Sequence, residues 1–69
     1  MIVYARVNRI GWVHLWASRE AFEDGEASLH FFDPRTDPRW AEVALGPDQL
    51  QRLKAGDLVA IEDPGYMEE

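Results

Sequence analysis

The chain has no cysteine, and that absence removes two ways in which short polypeptides are often stabilised, disulfide bridges and thiolate metal sites. Histidine is almost as scarce. Only His14 and His30 are present, too far apart in sequence to form a local ligand pair, so neither a metal nor any other cofactor is expected. Glycine-rich phosphate loops are missing, as are metalloprotease, thioredoxin and hydrolase-elbow signatures, and neither histidine stands beside a local nucleophile or acid arrangement. The chain is therefore not expected to be an enzyme. No run is long or apolar enough to span a bilayer, and the N-terminus lacks the basic region and apolar stretch of a secretion signal. A cytoplasmic protein without a membrane partner is the expectation. Repeats, low-complexity tracts and linkers are also lacking, so residues 1–65 read as one compact domain and 66–69 as a loose tail.

Positive charge is in short supply as well. Seven Lys and Arg against 13 Asp and Glu leave a formal net charge of -6. That balance disfavours phosphate backbones, whose affinity rests on clustered cations; a partner protein with a basic or apolar surface is expected, although composition alone favours the simpler reading that the acidity keeps a small protein soluble. The acids Glu20, Glu23, Asp24, Glu26, Asp33 and Asp37 match no calcium loop and read as solvated loop residues.

What the chain does have is a strongly patterned start. Across residues 2–17, a three-residue loop of Arg9, Ile10 and Gly11, with Gly11 in the left-handed conformation, pairs Val7 with Val13, Ala5 with Leu15 and Val3 with Ala17. One face of the hairpin is then aliphatic. The other pairs Asn8 with Trp12, Arg6 with His14 and Tyr4 with Trp16, a surface of aromatic and cationic groups. A two-residue turn would shift the register by one and mix the two sets, which favours the longer loop.

Beyond the hairpin, Ser18 stands as an N-cap before a helix-forming run that ends at Gly25. A single helical turn competes there with an extended hairpin turning at Asp24 and Gly25, and the helix is preferred because Arg19 to Phe22 would break strand alternation. Residues 27–32 read as a third strand, with Leu29 and Phe31 on one face and His30 and Phe32 on the other. A proline-containing loop over 33–39 follows. Residues 40–45 alternate as a fourth strand that buries either Ala41, Val43 and Leu45 or Trp40 and Ala44. Over 46–56, Pro47 at the first helical position, Asp48 and Lys54 at the two ends and Gly56 as the stop predict a helix with Leu50 and Leu53 inward. A fifth strand over 57–62 ends at Asp63, Pro64 and Gly65.

Together these elements predict a mainly β fold: a small, strongly bent five-stranded antiparallel sheet or open barrel with one or two short helices. A short helix before the closing strand is similar to the element order of SH3-like barrels. The similarity lies in architecture, which hosts many unrelated functions.

A chain of 69 residues buries only about 60% of the surface its unfolded form exposes. Ordering each residue costs about 1.5 kcal/mol, so so small a core is barely stable alone and a homodimer is expected. The candidate partner-binding residues are Tyr4, Arg6, Trp12, His14, Trp16 and Trp40, with Arg35 and Arg39 of the repeated Asp-Pro-Arg as a rim. Trp, Tyr and Arg most often anchor protein interfaces. Some of these aromatics would serve equally well as barrel interior, and each arginine of the loop has an adjacent aspartate to neutralise it. The function that follows is a small acidic interaction module, an inhibitor or regulatory subunit working through the aromatic hairpin face. The alternative is a nucleic-acid module whose sheet aromatics stack on unpaired bases.

Overall fold

The computed structural model describes residues 1–67. Four antiparallel strands form one open sheet in the order β3-β2-β1-β4, with β1 at Ile2–Val7, β2 at Val13–Trp16, β3 at His30–Phe32 and β4 at Val59–Glu62. Two short helices accompany it, α1 at Arg19–Glu23 and α2 at Pro47–Lys54. The fold is thus mainly β, with four strands among the described residues where five were expected.

The hairpin turn sets the register of the whole sheet. Gly11 has φ +85°, its N–H reaches Asn8 O at 3.1 Å, and Asn8 N–H reaches Trp12 O at 2.9 Å, which is a three-residue loop closed by a glycine bulge. Tyr4 then pairs with Trp16, Ala5 with Leu15, Arg6 with His14 and Val7 with Val13. The expected aliphatic face is the core: Val3, Ala5, Val13 and Leu15 are buried, joined by Val59 and Ile61 from β4 and Leu53 from α2. The ladder stops at Trp16, so Val3 finds its recorded partner in Ile61 rather than in Ala17.

Both helices start where local chemistry satisfies their free N–H groups. Ser18 Oγ accepts from Ala21 N–H at 3.1 Å to cap α1. At α2, Gln49 Oε1 accepts from Gly46 N–H at 2.8 Å while its Nε2 donates to Ala60 O at 3.0 Å, which ties the helix start to β4. Leu53 is buried as expected, whereas Leu50 is exposed.

Two segments depart from expectation. Trp40–Glu42 is a 3₁₀ turn instead of a strand. Aspartates explain the difference: Asp33 Oδ1 takes Arg35 N–H, Asp33 O takes the N–H groups of Thr36 and Asp37, and Asp37 Oδ1 takes Arg39 N–H. With those donors used inside the loop, the chain enters residues 40–42 already curled, and Trp40 packs on Phe32 at 5.7 Å between ring centroids. The second departure is the expected loose tail. Asp63 Oδ1 accepts from Gly65 and Tyr66 N–H, and its Oδ2 from Met67 N–H, at 2.7 to 3.0 Å. These bonds fold the chain back under the sheet, where Tyr66 stacks on Phe32 at 4.6 Å and is only 6% exposed. Tyr66 is core; residues 68–69 of that expected tail lie outside the described residues.

Candidate functional site

The face of the sheet opposite the core carries the other half of the alternation. Tyr4, Arg6, Trp12, His14 and Trp16 all project there from β1, β2 and the bulge, joined by Phe31, whose β3 position lies opposite His14. Phe31 is the hub of this face. Its ring lies 4.7 Å from Trp12 and 4.4 Å from His14, and His14 in turn lies 5.9 Å from Trp16.

One end of the row is covered by the chain itself. Phe22 of α1 meets Trp16 edge-on at 5.0 Å, and Trp16 Nε1–H donates to Glu26 O at 2.9 Å, leaving this tryptophan 8% exposed. The Arg19 guanidinium lies 5.6 Å from the Tyr4 ring, and that of Arg6 lies 5.7 Å from Phe22. The other end is open. Phe31 is 50% exposed and Ile10 at the hairpin tip 65%, with Trp12 half-buried beside Phe31, while Leu29, 61% exposed, precedes β3 on the Trp16 side of Phe31.

His14 sits in the middle of the row, held on both ring nitrogens. Nε2 lies 3.0 Å from Asn8 Nδ2, and Nδ1 lies 2.9 Å from Ser28 Oγ. Partial burial, and then the positive charge of Arg6, hold its pKa below the ordinary 6.5. Among the described residues no group of three or more His, Asp or Glu is close enough to hold a metal ion, and no helix is long and apolar enough to cross a membrane.

The remaining candidates lie elsewhere. Trp40 is on the core side against Phe32, and it lines a groove of about 260 Å³ with Pro34, Leu45 and Leu50. Arg39 lies over the Tyr66 ring at 4.7 Å. Arg35 is paired with Asp33 at 3.0 Å, which holds the Asp33 carboxyl below the usual carboxylate range. The eight candidates therefore split into five on the outer face and three around the loop over 33–39. Phe31, Leu29 and Ile10 were not among them, because alternation separates Phe31 from His30 and Phe32 without saying which set faces the aromatic side, and the register puts Phe31 there and Phe32 on the core. No known protein family matches this chain, and no characterised protein or solved structure resembles it closely enough to support a comparison.

Proposed function

We propose that this chain is a small acidic, non-enzymatic protein-interaction module that pairs with a second copy of itself through its outer face. The observation that carries the reading is the open end of the aromatic row, where Trp12, Phe31 and Ile10 stay accessible while Phe22 of α1 covers Trp16 at the other end. Charge argues for a second copy as the occupant. The hairpin tip carries Arg9, whereas the end near Trp16 carries Glu23, Asp24 and Glu26. A two-fold axis lying between the two outer faces, parallel to the sheets and crossing the strands at Phe31, sets the basic end of each copy against the acidic end of the other, as a self-complementary interface requires. The like net charges of the two copies are largely screened beyond about 8 Å at physiological salt. Trp12 and Phe31 are the anchors of this interface and Ile10 and Leu29 its rim.

Light scattering after size exclusion is expected to report a dimer at micromolar concentration, and Phe31→Glu a folded monomer. A native chain that stays monomeric at high concentration overturns self-pairing. Tight, salt-sensitive binding of single-stranded nucleic acid on the same face would overturn the reading as a protein module.

A further inference from the structure

Three of the seven basic side chains converge on one cleft, at the point where β1 outruns β4. The ladder between these strands ends at Ala5 and Val59. Beyond it Gly56 and the end of α2 turn the chain away, leaving an opening of about 460 Å³ bounded by Arg6, Val7 and Arg9 on one side and Lys54 and Gly56 on the other. Among the described residues, no Asp or Glu lines it. Asp57, next in the chain to Gly56, belongs to a separate cleft with Asp48 and Arg52. Among the described residues the recorded carboxylate pairings join the N-terminal amine to Glu62 and Arg35 to Asp33, and none involves Arg6, Arg9 or Lys54.

The end of α2 accounts for part of this charge and leaves most of it over. Arg6 Nε donates to Gly56 O at 2.9 Å, and the helix terminus as a whole is equivalent to about -0.5 of a charge. Three cations exceed that by about 2.5 charges. In a chain of net charge -6, such a surplus in one place sustains mutual repulsion unless an anion offsets it. The strand adds a neutral donor. Asn8 N–H is used by Trp12 O in β2, so Val7 N–H, one residue earlier, points to the opposite edge and into the cleft, where no described residue accepts it.

We propose that this cleft binds a doubly charged oxyanion, phosphate or a phosphate monoester. Arg9 and Lys54 are its mobile charged donors, Arg6 is a third held in place by Gly56, and Val7 N–H is the backbone donor. The site lies at the sheet edge, away from the Trp12 and Phe31 row; it shares Arg9 with the pairing proposed above, so the Lys54 variants test it independently of that pairing.

The test is a titration of ¹⁵N-labelled protein with sodium phosphate at ionic strength held constant with sodium chloride. A second arm uses a phosphoserine peptide, so that a free anion and one carried on a protein are told apart by which probe binds more tightly. Saturable amide shifts centred on Val7, Arg9 and Gly56 are expected. They should weaken about tenfold in Arg9→Gln or Lys54→Gln and persist in Lys54→Arg. Both positions are exposed, so the variants keep the hairpin spectrum. Phosphate should also raise the melting temperature of the native chain above that in matched chloride, and not that of the double variant. Shifts that follow ionic strength alone, saturable shifts that survive both substitutions, or no shift with either probe would overturn the assignment.

Discussion

Asn8 Nδ2 donates to His14 Nε2 at 3.0 Å, and the direction of that bond is set by the hairpin loop. The Asn8 side-chain oxygen accepts from both Ile10 N–H and Trp12 N–H at 3.0 Å, so the amide must present its NH₂ to the histidine. His14 Nε2 is then the acceptor, and Nδ1 carries the proton that goes to Ser28 Oγ. A protonated imidazole would place a donor against a donor, or force the amide to release the loop.

This geometry predicts the sign of a pH effect. The folded pKa of His14 lies below its ordinary 6.5, so the unfolded chain binds the proton more readily. The His14 contribution to stability is therefore fully present above 6.5, falls as pH drops below it, and levels off once pH is below the folded value. A ring titration by NMR should return a value under 6.5, with the Ile10 and Trp12 amides moving on the same curve. A value above 6.5, or loop amides indifferent to the titration, would contradict the arrangement.

Gly11 and Gly56 adopt φ of +85° and +84°, and an added Cβ would meet nothing within 4 Å at either. Strain from substitution is thus confined to the backbone. Gly11→Val and Gly56→Val should each lose about 1–2 kcal/mol in denaturant unfolding. An unchanged midpoint for Gly11→Val would remove the basis for the observed register.

The tryptophans should separate cleanly. Trp16 is enclosed by Phe22 and bonded to Glu26 O, so Trp16→Ala should cost about 3–5 kcal/mol and abolish folding of so small a domain. Trp12→Ala should leave a folded chain by circular dichroism while weakening self-association. Equal destabilisation by both would place Trp12 in the core as well.

Tyr66 and Asp63 predict opposite responses. The Tyr66 hydroxyl is buried without a well-formed hydrogen bond; burial, and then the nearby Asp37 carboxylate, push its pKa upward and keep it neutral. Tyr66→Phe should therefore be neutral or stabilising, because it removes an unpaired polar atom and keeps the ring stack. Asp63 is different. Burial alone would raise its pKa, but N–H bonds from Met67, Tyr66 and Gly65 outweigh that and leave it below 3.8. Its contribution is present above 3.8 and lost as pH falls through the lower folded value. Asp63→Ala should cost about 1–3 kcal/mol by leaving those donors unpaired, measurable as a lower chemical-denaturation midpoint.

Where the sequence was legible, one local rule decided the outcome. Gly11 and strict alternation set the hairpin faces, Ser18 and Gly25 bounded α1, and Pro47 and Gly56 bounded α2. Where it was not, a side chain competed with the backbone pattern. Residues 40–45 alternate well enough for a strand, but Asp33 and Asp37 had already bent the chain into turns. Residues 63–65 read as a terminator, yet the carboxylate of Asp63 gathers the next three amides and turns an apparent end into part of the core. The covering of Trp16 by Phe22 was hidden for a related reason, since alternation assigns a face and does not say which neighbouring element will lie across it.

The central position of β1 also orders the events of folding. Its hairpin with β2 closes a three-residue loop, which takes about 1–10 μs, and needs no other part of the chain. Pairing with β4 brings Ala5 to Val59 across most of the sequence, and only then can α2 and Tyr66 close over the aliphatic face. That closure costs far more chain entropy, so it sets the overall rate. Substitutions in the hairpin loop should therefore act on the rate of folding, and those at Tyr66 on the rate of unfolding.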